Sequence, residues 1–262
     1  MSKIQLAYKY LKYRLNAKTK FDIHSPFIFD FVTDVIGNTR HYYAYDEIEM
    51  LREHLLNDER TIRVEDFGAG SKKNKTPDRR IADIAKNTLI TPKFGRLLFS
   101  MVDHYRPATL LELGTSLGIS ALYLAKANTA ARLITLEGSV AVASIAATGF
   151  KQLHAPNIEL ITGEFSQTLP EAIRSLHTVD LAFIDGNHRY APTMEYFRQL
   201  LPATHAHSIL VFDDIHWSDE MEAAWKEIQA HPQVTLTFDL FFKGIVFLHP
   251  EIRSKQHFQL LF

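Results

Sequence analysis

The stretch Leu110-Leu111-Glu112-Leu113-Gly114-Thr115-Ser116-Leu117-Gly118-Ile119-Ser120 decides how this chain folds. It opens as an apolar strand carrying one acid, passes through a turn with two glycines, and continues through Ala-Leu-Tyr-Leu-Ala as a helix. A glycine turn between strand and helix brings a ligand close to bare backbone at a helix N-terminus. Working outward, strands are predicted at residues 109–113, 132–136, 158–162, 181–185 and 209–212. Helices are predicted between them at 119–127, 140–153, around 169–176, and at 191–201. This alternation implies βαβ units on a parallel sheet. Residues 234–240 and 244–248 alternate like two strands meeting at Phe241-Phe242-Lys243, which predicts a hairpin.

Upstream of residue 90 the pattern is helical. Ile4, Tyr8, Leu11 and Leu15 recur at helical spacing, as do Phe27, Phe31, Val35 and Ile36, and His24-Ser25-Pro26 marks a helix start. The first helix is basic: Lys3, Lys9, Lys12, Arg14, Lys18 and Lys20 occur in the first twenty residues without an acid. Asp66-Phe67-Gly68-Ala69-Gly70-Ser71, followed by Lys72, Lys73, Lys75, Arg79 and Arg80, has the glycines and charge of a mobile lid. The expected organisation is a helical cap with a basic loop over residues 1–89 and an α/β domain over 90–262.

With 46% hydrophobic residues, 262 residues can bury a full core. A net charge of −1 gives no global attraction to a polyanion. The absence of cysteine excludes disulfides, thiolate metal sites and a cysteine nucleophile. No apolar run approaches the roughly 18 residues that span a bilayer, and the N-terminus lacks a signal peptide's apolar core. The expectation is a cytoplasmic protein with no transmembrane segment.

Twenty-three positions after Gly114, Glu137 closes the next strand in Ile134-Thr135-Leu136-Glu137. A carboxylate there can accept both ribose hydroxyls of a nucleotide-like ligand. Two other functions share parts of this pattern. A dinucleotide fold needs a glycine where Ser116 stands. Gly114-Thr-Ser116-Leu-Gly118 also fits a hydrolase nucleophile elbow, with later aspartates and His216 in order, but that elbow follows several strands and residues 1–108 offer mostly helix and loop.

The run Leu-Glu-Leu-Gly-Thr-Ser-Leu-Gly-Ile-Ser-Ala resembles the first motif of class I S-adenosylmethionine-dependent methyltransferases, particularly the catechol and caffeoyl-coenzyme A O-methyltransferase group. The resemblance extends over about residues 90–250. It includes Ile161-Thr-Gly163-Glu164, Phe183-Ile184-Asp185-Gly-Asn-His188-Arg-Tyr190 and Phe212-Asp213-Asp214. It implies a Rossmann-like, seven-stranded, mostly parallel sheet with an antiparallel C-terminal hairpin, and S-adenosylmethionine as cofactor. Glu112, Gly114, Ser116 and Gly118 would surround its methionine part and Glu137 its ribose. Gly163, Glu164 and Phe165 would border its adenine, and Asp185 would also touch it. Asp66–Ser71 looks like a second first motif, but its strand is too short and a charged loop follows.

Ligands bind outside the carboxyl ends of such strands, so Asp185, Asp213 and Asp214 should converge. Three carboxylates together repel, and Mg2+ or another divalent cation would neutralise them. In the resembling group two aspartates and an asparagine hold that metal; here Asp214 replaces the asparagine. His188 stands at the position of the group's catalytic lysine and can take a proton from a hydroxyl. His216 is a second candidate base. Tyr190 and Trp217 are expected walls of an acceptor pocket, Lys93 a weaker site residue, and His205 and His207 loop residues.

The expected reaction is methyl transfer to oxygen on a small molecule, with a divalent metal assisting. Alternatives are an RNA or lipid acceptor recruited by the basic segments 3–20 and 72–80, and a non-catalytic cofactor-binding protein. The net charge gives no global reason to expect a nucleic-acid partner, though local basic clusters could still bind one, and the resemblance implies a homodimer by analogy alone.

Overall fold

The computed structural model describes residues 3–18, 26–65, 76–252 and 254–262. Its helices are α1 (Lys3–Asn16), α2 (Pro26–Asp30), α3 (Tyr43–Leu56), α4 (Ile81–Thr88), α5 (Pro92–Tyr105), α6 (Ile119–Ala127), α7 (Val140–Gln152), α8 (Phe165–Leu176), α9 (Tyr190–Leu200) and α10 (Asp219–Ala230). Its strands are β1 (Thr61–Arg63), β2 (Asp78–Arg80), β3 (Thr109–Leu113), β4 (Arg132–Glu137), β5 (Ile158–Thr162), β6 (Leu181–Ile184), β7 (Ile209–Asp213), β8 (Leu236–Asp239), β9 (Lys243–Phe247) and β10 (Gln256–Gln259). They fall into two compact units, Asp34–Ala172 and Met1–Thr33 with Ile173–Phe262. Each unit joins part of the first 89 residues to part of the remainder.

In Asp34–Ala172 the strands β3, β4 and β5 run parallel, with Leu110 opposite Leu133 and Leu133 opposite Ile158. Leu110 to Leu113 are buried without alternation, as in a strand covered on both faces. The helix after the glycine turn, α6, is buried almost all round, which explains its apolar sequence without a polar stripe. Gly95 in α5 lets that helix approach α6: an added Cβ would lie 2.4 Å from Cε2 of Tyr123. Tyr123 is fully buried, and its hydroxyl donates to Glu49 of α3 at 2.6 Å. Lys126 adds a 2.5 Å contact to Glu47. The third helix is thereby fastened to the helix that carries the turn.

Residues 1–89 are not wholly helical. β1 and β2 form an antiparallel ribbon, with Ile62 opposite Arg79. Arg79 and Arg80, expected in a loop, lie in β2, and Arg80 bonds Glu59 and Asp83. The expected second helix is a short α-helix continuing as a π-helix, Phe31–Ile36. The proposed lid at 66–75 and the start at His24-Ser25 lie outside the described residues.

In the other unit β6 and β7 are parallel, and β9 runs antiparallel between β7 and β8. The hairpin is as expected. β10 then adds a strand parallel to β8, so the strands beyond the ribbon number eight rather than seven. Its sequence, Gln-His-Phe-Gln, holds one apolar residue and gives no strand signal; pairing with β8 makes it one. Helix α1 is anchored here. Tyr13 is buried with its hydroxyl on the Leu260 carbonyl, Tyr10 meets Phe241 edge-on, and Lys9 pairs with Glu222 at 2.8 Å. Tyr8, Leu11 and Leu15 face outward. Among the described residues no helix is long and apolar enough to cross a membrane.

Candidate active site

The turn after β3 is built from left-handed backbone. Gly114, Ser116 and Gly118 have φ of +99, +47 and +85. Gly118 is doubly constrained, because an added Cβ would lie 2.6 Å from Cε1 of Phe150. Backbone bonds tie the turn to the next strand: the Gly114 and Thr115 amides both donate to the Leu136 carbonyl, at 2.9 and 3.0 Å. Glu137, at the tip of β4, then accepts the Ser116 amide at 2.8 Å and the Ser139 amide at 2.9 Å. A carboxylate offers about four acceptor positions, so two backbone bonds orient it without exhausting it. The Gly163 amide donates to the Glu137 carbonyl at 2.9 Å, and Glu164 caps α8 through its carbonyl while Phe165 begins that helix. Three segments distant in sequence, 114–118, 137 and 163–165, are stitched together by main-chain hydrogen bonds.

Glu112 lies inside the core beneath the turn. It is 0% exposed and accepts a 2.5 Å bond from the Thr135 hydroxyl. That hydroxyl has one proton, so the Thr115 hydroxyl, 2.5 Å away, donates to Thr135. Glu112 is thereby linked to the turn through a buried hydroxyl relay. Ser116 meets Thr88 hydroxyl to hydroxyl at 2.7 Å.

In the unit containing Ile173–Phe262, Asp185 follows β6 and Asp213 ends β7. The turn Gly186-Asn187-His188 has φ of +61 and +29 at its last two residues and carries the imidazole back, Nε2 3.3 Å from Asp185 Oδ1. Burial by itself would lower the His188 pKa, but Asp185, Asp214 and Asp213 outweigh it and hold the ring at about 9. Burial would raise Asp185, yet His188, Lys243 and Asp213 bring it below the ordinary range. Asp213 goes the other way, pushed up to about 7 by burial against the pull of Lys243. Burial also raises Asp214, whose backbone is left-handed at φ +53.

A cation stands in this cluster that sequence reasoning did not assign. Register places Lys243 of β9 opposite Asp213 of β7, and its Nζ contacts Asp213 Oδ1. The same oxygen accepts the Asp214 amide at 2.6 Å. Both residues are nearly buried, and the ammonium lies 5.5 Å from the centroid of the Phe183 ring. Among the described residues no group of three or more His, Asp or Glu is arranged to hold a metal ion. Asp185, Asp213 and Asp214 thus do not fit the divalent cation expected of them: one acid carries an ammonium, another an imidazole. The only sequence signal was Lys243 beside the hairpin tip, and its partner is defined by strand pairing.

His216 is also placed away from base chemistry. Its Nε2 meets Asp239 at 2.9 Å and its Nδ1 meets Glu222 at 3.1 Å, while the ring stacks on Phe241. Both nitrogens are committed, which leaves no lone pair for an acceptor's proton. Asp239 raises the His216 pKa against burial. The network, extended by Lys9 through Glu222, fastens α1 and α10 to the hairpin. Tyr190 hydrogen-bonds Glu227 on α10, whereas Trp217 is half exposed. His205, as expected, lies in the loop before β7, paired with Asp180 at 2.8 Å; His207 lies beside it. Lys93 is the exposed second residue of α5.

Parallel βαβ units, a reversed penultimate strand and an acid gripping the first glycine turn make a Rossmann-like α/β fold. Residues 111–215 match the model of the family described as "Methyltransferase domain". A mouse (Mus musculus) protein named "Transmembrane O-methyltransferase homolog" is 32% identical over 127 residues, covering 45% of this chain and 46% of that one. The chain thus spans about half the length of the curated relative it matches. An O-methyltransferase from Bacillus cereus in complex with SAH (S-adenosylhomocysteine) has a TM-score of 0.57 at 18% identity, covering 83% of this chain and 96% of that one. An SAH-bound methyltransferase from Podospora anserina gives 0.58 at 17%, covering 86% and 96%. Those similarities establish the α/β fold.

Proposed function

We propose that the chain is an S-adenosylmethionine-dependent O-methyltransferase acting on a small hydroxylated molecule. The observation that supports this is the bond from the Ser116 amide to Glu137, which sets an acid beside bare backbone, an arrangement that would suit an adenosine ribose. The methyltransferase-domain match over 111–215 and the solved relatives bound to SAH support it. S-adenosylmethionine, when bound, supplies a methyl group already activated on sulfur. The chain's contribution is therefore placement. Gly114, Ser116 and Gly118 present backbone to the methionine part, Glu137 accepts the ribose hydroxyls, and Gly163, Glu164 and Phe165 border the adenine.

His188, oriented by Asp185, receives the acceptor's hydroxyl proton. With a pKa of about 9, His188 is largely imidazolium at neutral pH and acts as a base only in its neutral form, so the rate should rise with pH toward 9, where transfer from a phenolic hydroxyl, whose ordinary value is about 10, is nearly balanced. This favours phenol-like acceptors over aliphatic alcohols. The protein alone, incubated with deuteromethyl-labelled S-adenosylmethionine and a panel of catechols, phenols and alcohols, should label a phenolic oxygen by mass spectrometry. Labelling of nitrogen or RNA only, or no binding of SAH, would overturn the assignment.

A further inference from the structure

We propose that Lys243 is the fixed cation of the acid cluster, and that methyl transfer here proceeds without a divalent metal. This rests on the methyltransferase function proposed above. The geometry comes from the backbone. Asp213 and Lys243 are directly opposed in antiparallel strands, so their side chains leave the sheet as cross-strand neighbours rather than meeting by chance at a surface. The approach is supported on the other side of Lys243 as well: Gly244 has no Cβ because one would stand 2.6 Å from the Trp225 ring, which keeps β9 close to α10.

Charge and burial then select the occupant. Lys243 is 5% exposed, and a lysine is that deeply buried only when paired. Asp213 Oδ1 already takes the ammonium and the Asp214 amide, and Asp185 takes the His188 ring. A divalent ion binding these carboxylates would have to expel a desolvated ammonium and the imidazole, leaving Lys243 buried beside a second positive centre. The lysine does electrostatically what the expected metal would do, holding Asp185, Asp213 and Asp214 together, and it cannot dissociate.

The test uses the full chain purified through EDTA. Titration with Mn2+, followed by its electron paramagnetic resonance signal, should show no saturable binding. The melting temperature should be the same in EDTA and in excess Mg2+, and the methyl-transfer rate should be unchanged by EDTA. Lys243→Met should lower the melting temperature by about 10 °C, because it strands buried acids. The Lys243→Met/Asp213→Asn double variant should recover at least half of that loss. Saturable Mn2+ binding to the wild type that Asp213→Asn abolishes would overturn the proposal, as would a fall in melting temperature in EDTA. If Lys243→Met fails to fold, the wild-type metal titration and the double variant still decide. SAH titration on the same preparations separates the two ideas: absent SAH binding removes the methyltransferase assignment and leaves the metal result standing.

Discussion

Replacing Glu137 tests the grip on the ribose most directly. Its carboxylate holds the Ser116 and Ser139 amides at 2.8 and 2.9 Å, so Glu137→Ala removes a ligand contact and also loosens the turn. Hydrogen bonds to a charged acceptor contribute about 1.5–3 kcal/mol each, and two ribose hydroxyls would engage it. Water entering the space left by truncation recovers part of this, leaving a loss of about 2–4 kcal/mol, or about 30- to 1,000-fold in Kd. Glu137→Gln keeps one oxygen for a backbone amide and loses the charge, so it should fall between wild type and alanine. The assay is calorimetric titration with SAH, with circular dichroism confirming that each variant is folded. A folded Glu137→Ala that binds SAH within threefold of wild type would refute the reasoning, because the turn would then hold the nucleoside without its acid.

Two other predictions concern stability. Gly118→Ala forces an L-residue to φ +85 and sets a Cβ 2.6 Å from Phe150, so denaturant unfolding should show a loss of about 2–4 kcal/mol; no loss would mean that the turn relaxes freely. His188, facing Asp185, Asp213 and Asp214, is raised from 6.5 to about 9, so its contribution is complete below pH 6.5 and is lost as pH rises through 9. Stability should therefore decline by up to about 3 kcal/mol across that window. Asp213, raised from 3.8 to about 7, contributes fully below pH 3.8 and loses that share as pH rises through 7, so the His188→Gln variant should be flatter above pH 7. An identical slope in wild type and variant would discard the His188 assignment.

The glycine turn, the β3, β4, β5, β6 and β7 positions and the hairpin are local in origin. Short apolar runs, turn residues at fixed offsets and period-two alternation specify them, and strand ends shifted by only a residue or two. Glu137 was legible for the same reason, since its place at a strand end follows from counting. What the sequence could not state is which side chain meets which across strands. Lys243 looked like a hairpin-tip residue, and only antiparallel register set it against Asp213. His216 sits in an acidic, aromatic stretch suited to catalysis, but Asp239, on a separate strand, and Glu222, six residues on, occupy its two nitrogens. β10 has no pattern of its own and exists because β8 offers an edge. Composition and spacing encode backbone conformation and burial, whereas charge pairing depends on distances that arise only when separate strands come together.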